Sequence, residues 1–150
     1  MQMPGTEMSE ANNSSQRSKG LSVEFRVPAH LESLSIVRTL MTAMGTHEDL
    51  DLDVVADLRL ALDEACTALI RSAAPASTLV VTVSPREQDV HISVSTPTVR
   101  EDVLRPGTFS WHVISSLTDD LSTFYDGSTV DSDGGVFGIT MTARRPEVGR

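Results

Sequence analysis

The stretch from Leu52 to Arg71 constrains this chain most. Its apolar positions Val55, Leu58, Leu62, Ala65 and Leu69 recur at i, i+3, i+7, i+10 and i+14, which is one face of a helix of 3.6 residues per turn. Strong helix formers dominate it, and neither Gly nor Pro interrupts it. Asp51 or Asp53 is placed to cap its start, where acidic groups also meet the positive end of the helix dipole. Leu60, Glu64 and Ala68 stand in a column four residues apart. Asp63 and Glu64 therefore fall at the rim of the buried stripe, facing either a cleft or water.

Such a helix needs a partner layer, and the rest of the chain supplies one. Leu21–Val27 alternates strictly, with Leu21, Val23, Phe25 and Val27 on one side, and reads as a half-buried strand ended by Pro28. Ala29–Met44 reads as an amphipathic helix with Leu31, Leu34, Val37 (or Ile36), Met41 and Met44 inward and Gly45 as its C′ residue. Asp49, Asp51 and Asp53 imitate the opening of a calcium loop. Val54 and Leu60 stand where that loop requires Gly and Glu, so calcium is rejected. Thr78–Ser84 and Asp89–Ser95 are β-rich runs joined by the turn Pro85–Gln88, with His91 on the outward phase. A loop follows from Thr96 to Gly107, then a short helix over Thr108–Leu117 in which Trp111 is either core or partner surface. Leu121–Tyr125 and Val136–Thr142 are the final strands, turned by Asp126-Gly and Asp131–Gly135, and Ala143–Arg150 reads as a partly basic tail. The order strand, helix, helix, strand, strand, helix, strand, strand predicts an α+β fold: a two-layer sandwich with helices on one face of a mostly antiparallel sheet.

Composition narrows the function. The 150 residues suit one folded domain over residues 20–145, with a polar, disordered tail over 1–19 and a short tail over 146–150. A net charge of −9 opposes contact with phosphate backbones, so no direct nucleic-acid partner is expected. A lone cysteine, Cys66, suits a reducing cytoplasm, and neither a signal peptide nor a membrane span is legible. The histidines do not fall at zinc spacings, and no metal site, phosphate-binding Gly-Lys-Ser/Thr loop, dinucleotide fingerprint or Gly-x-Ser-x-Gly elbow is present.

The element order, Asp63-Glu-Ala-Cys-Thr67, Phe109-Ser-Trp-His-Val-Ile114, Asp126-Gly127 and Val136-Phe-Gly-Ile-Thr-Met-Thr-Ala-Arg-Arg145 together resemble the anti-sigma factor/serine-protein kinase family (RsbW type) of the GHKL ATPase superfamily. The resemblance spans roughly residues 20–145. It implies a degenerate GHKL, or Bergerat-like, fold. It also implies an anti-sigma factor that sequesters an alternative, stress-response sigma factor of the sigma-F type, acts as a homodimer, and is released by an antagonist, an anti-anti-sigma factor. The family's alternative activity is phosphorylation of that antagonist with Mg-ATP, and a third reading is an assembly scaffold without a sigma partner. Glu64 stands at the family's catalytic acid and would be the base of a kinase-competent site. Glu64, Gly107 and Thr108 would be the nucleotide-binding positions. Ala68 replaces the family's magnesium-binding Asn, Ser95–Asp102 lacks its Asp-x-Gly-x-Gly box, and Gly107 is what remains of its second glycine box. The family's partner surface maps by region to Glu32, Arg38 and Met41, while Met41 and Met44 read as core or dimer-interface filler rather than a ligand site.

Overall fold

A computed structural model describes residues 22–127 and 134–146. Five strands form one antiparallel sheet in the order β1-β2-β3-β5-β4: β1 (Val23–Pro28), β2 (Thr78–Pro85), β3 (Asp89–Thr98), β4 (Asp120–Asp126) and β5 (Gly135–Arg144). Three α-helices, α1 (Leu34–His47), α2 (Leu52–Arg71) and α3 (Phe109–Leu117), complete the predicted two-layer α+β arrangement. Register follows the pleat. Val81 faces Phe25 and Val94, and Ile92 faces Val83 and Met141, so one side of the sheet carries a continuous row of β-branched and aliphatic side chains. Those residues and the inward stripes of the helices form a single core. The other sheet face presents Thr82, Ser93 and Thr140, which are only half-buried.

The predicted bounds of α2 match the observed ones at both ends. Asp51 is the cap residue that accepts from the Asp53 amide at 3.3 Å. All five stripe residues of α2 are buried. Cys66 is buried among them, and burial, with Asp63 nearby, pushes its thiol up to about 12, so it stays a neutral packing group.

The first helix departs from expectation at both ends. A single 3-10 turn over Leu31–Ser33 precedes α1, and Leu31 is 51% exposed rather than inward. The Ser33 hydroxyl donates to the Pro28 carbonyl at 2.7 Å and holds this tight turn against the strand end. Gly45 does not end the helix. It lies inside the last turn, where a Cβ would meet Val55 Cγ2 at 2.5 Å, so it permits α1 and α2 to cross closely. The stop is Asp49, in the left-handed region at φ 57°. Its amide donates to the Thr46 carbonyl and that of Leu50 to Gly45, which is a Schellman closure with Asp where Gly is usual.

The C-terminal segment also differs. β5 runs through Arg144, and Arg145 is not part of a free tail: its guanidinium meets Glu48 at 2.7 Å, with side-chain exposures of 18% and 7%. β3 continues to Thr98, which shortens the expected loop, and Trp111 is half-buried against the core. The expected strand position Leu21, the turn residues Asp131–Asp133 and the terminal tails lie outside the described residues.

Candidate functional site

Helix α2 packs against α1 and α3, and each brings a polar partner to one of the two carboxylates at the rim of its buried stripe. On the α1 side, Arg38 grips Asp63 bidentately, Nε to Oδ1 at 2.8 Å and Nη2 to Oδ2 at 2.9 Å. Both side chains are partly exposed, and the pairing holds the Arg38 guanidinium still higher above neutrality than usual. On the α3 side, Ser110 Oγ donates to Glu64 Oε2 at 2.7 Å. Neither partner was legible from spacing, because both contacts join residues distant in sequence. The i+1 offset of Asp63 and Glu64 on a helix did place them toward different neighbours.

The other predicted cofactor positions are engaged locally. Thr108 is the N-cap of α3: its hydroxyl accepts from the Trp111 amide at 3.3 Å and donates to the Arg105 carbonyl at 2.8 Å. Gly107, at φ 91°, makes the turn into that cap. The two border a recess of about 370 Å³ completed by Phe109, Trp111, His112 and Ser115, and Glu64 is not among its walls. The fold thus brings Gly107 and Thr108 together and turns Glu64 to a different partner. Position 68 offers a methyl group, and among the described residues no group of three or more His, Cys, Asp or Glu side chains is placed to hold a metal ion. A methyl group cannot coordinate a hard cation, so Ala68 lacks the oxygen ligand that the resemblance expects for magnesium.

The three positions mapped to a partner surface also separate. Glu32 is exposed at the start of the helical layer. Arg38 is half-exposed but clasped to Asp63, beside a shallow groove with Thr39, Thr42, Ala43 and Arg59. Met41 has no exposed surface and lies in the core. It is therefore corrected to a packing residue, because α1 buries the stripe Leu34, Val37, Met41 and Gly45. What composition did not reveal is the set of large apolar groups left outside the core, among them Leu52 at 83%, Phe109 at 78% and Leu60 at 58% exposure.

A sheet with its helices on one face and an acid-bearing central helix make a two-layer α+β domain consistent with a GHKL-like fold. A crystal structure of RsbU and RsbW domains from Mycobacterium tuberculosis superposes with a TM-score of 0.65 at 15% sequence identity, covering 87% of this chain and 34% of that one. The chain therefore spans about a third of the length of that neighbour, and the likeness supports the fold. No family model matches the chain. Two curated relatives, the anti-sigma-F factors RsbW of Mycobacterium tuberculosis strains CDC 1551/Oshkosh and ATCC 25618/H37Rv, are each 55% identical over 130 residues, 86% of this chain and 77% of theirs. The chain belongs to the RsbW family of anti-sigma-F factors.

Proposed function

We propose that this protein is an anti-sigma factor that sequesters an alternative, sigma-F-type sigma factor and thereby keeps it from RNA polymerase. The observation that carries this reading is 55% identity over 130 residues to proteins named for that role. The structure suits a binding protein: the would-be catalytic acid is occupied by Ser110, position 68 has no metal ligand, and large apolar side chains stand in solvent. The kinase alternative draws no support from this donor set.

Release by an antagonist protein, homodimer formation and a cytoplasmic site of action complete the proposal. An antagonist that frees sigma must bind in a way that excludes it, since coupling between two ligands is reciprocal. Among the described residues no helix is long and apolar enough to cross a membrane. The test is titration of the purified protein with the sigma factor most similar to sigma-F in the same genome, at low salt, followed by calorimetry. A saturable complex, and loss of sigma-dependent transcription when the protein is added, is the expected result. Absence of a complex at low salt overturns the reading.

A further inference from the structure

Helix α2 is apolar on two sides. The stripe Val55, Leu58, Leu62, Ala65, Leu69 is buried in the core. A second column, Leu52, Ala56 and Leu60 at i, i+4 and i+8, is exposed along the outer surface of the same helix. One turn further along this column is Glu64, which Ser110 ties to the start of α3. The residue next to Ser110 is Phe109, 78% exposed at the first position of α3. The Glu64–Ser110 hydrogen bond therefore joins the exposed column of one helix to the exposed ring of the next. An amphipathic surface helix needs one apolar stripe, not two, and contiguous exposed apolar surface on a soluble domain marks an interaction site.

One edge of this strip is acidic, while the other carries the exposed Arg59 beside the Arg38–Asp63 pair. Asp53 and Asp57, each one residue beyond Leu52 and Ala56, are exposed along its edge, and Glu64 continues the acidic line. The whole chain carries a net charge of −9. A strip of aliphatic and aromatic groups edged by carboxylates complements an amphipathic helix whose polar side is basic, laid apolar face down. A sigma factor must present basic helices, because it contacts DNA phosphates.

We propose that the outer strip of α2 and the start of α3, centred on Leu60 and Phe109 and edged by Asp53 and Asp57, is the docking surface for a basic amphipathic helix of the sigma factor. This rests on the anti-sigma reading above and deepens it. The protein would then mask the basic surface with which sigma meets nucleic acid, and acidic residues would steer the encounter.

The test is titration of full-length protein with the sigma factor, comparing wild type, a Leu60→Ser/Phe109→Ser variant and an Asp53→Asn/Asp57→Asn variant, with thermal melts and sedimentation of each. Both apolar side chains are already in solvent, so the melts should coincide with that of wild type. The apolar variant should bind about tenfold or more weakly, because exposed anchors that become buried dominate interface energies. The charge variant should show a flattened salt dependence of the association rate, since steering acts on encounter. Wild-type affinity in the apolar variant, with a complex present for wild type, overturns this surface while leaving the anti-sigma reading intact. No complex for wild type overturns both. A wild-type dimer that the apolar variant dissociates shows that a second copy covers the strip, and overturns the proposed occupant.

Discussion

The two contacts that α2 makes with its neighbouring helices are built differently. Toward α1, a glycine lets the backbones approach until Val55 fills the space of a missing Cβ, and a two-pronged Arg38–Asp63 pair closes the solvent side. Just beyond, Glu48 and Arg145 tie the turn between the helices to the end of β5. Toward α3, the polar connection from α2 is the hydroxyl of Ser110 on Glu64, with Ile114 as the buried anchor of a helix that ends after Leu117. The first contact is close-packed and geometrically determined. The second leaves Phe109 in water and holds the would-be catalytic acid by one hydrogen bond. A close backbone crossing and an exposed aromatic ring are thus divided between the two sides of one helix.

The largest effect should come from the turn that closes the scaffold side. Glu48→Ala leaves the largely buried Arg145 guanidinium without its carboxylate, and removing one partner of such a pair should cost about 3 kcal/mol in denaturant unfolding. Next, Gly45→Val forces a side chain into Val55 and should cost about 2 kcal/mol, with α1 and α2 pushed apart. Ser110→Ala should cost less, about 1 kcal/mol, because the freed Glu64 carboxylate is partly exposed and regains water. If Ser110→Ala proved as damaging as Gly45→Val, the contrast between the two sides would fail. The smallest change has the opposite sign: Asp49→Gly relieves the left-handed backbone at the end of α1 and should stabilise the fold by about 0.5 kcal/mol, read as a raised Tm. A destabilised Asp49→Gly would mean that the carboxylate itself, rather than the backbone, holds the turn.

Much of the architecture was legible because it is periodic. The stripe of α2, its cap at Asp51 or Asp53, the Thr108 cap of α3, the alternation of β1 and the β-rich runs of β2 and β3 are local, and each matches an element observed within a few residues. Gly45 reads as a helix stop in the sequence, and the structure places it at a helix crossing, for a physical reason. A glycine near the end of an apolar repeat signals a helix stop as readily as a close crossing, and only the position of Val55 distinguishes them. Arg145 reads as tail in the sequence because its partner, Glu48, lies 97 residues away. Met41 is set by its inward phase on α1, so its burial agrees with the packing alternative rather than the partner-facing one. The losses at position 68 and in the glycine boxes are visible in the residues themselves.

The sequence by itself determined which segments become helices and strands and which face of each turns inward, because backbone hydrogen bonding and apolar period are short-range properties. It also places a methyl group at position 68, where the resemblance expects a magnesium-binding Asn. Only the tertiary structure decided that Asp63 answers to Arg38 and Glu64 to Ser110, and that Gly45 serves a crossing. It also decided that Leu52, Leu60 and Phe109 remain in solvent beside one another's helices. Those outcomes depend on which helices lie next to α2 and at what distance, and that is fixed by packing the helical layer on the sheet rather than by any local pattern.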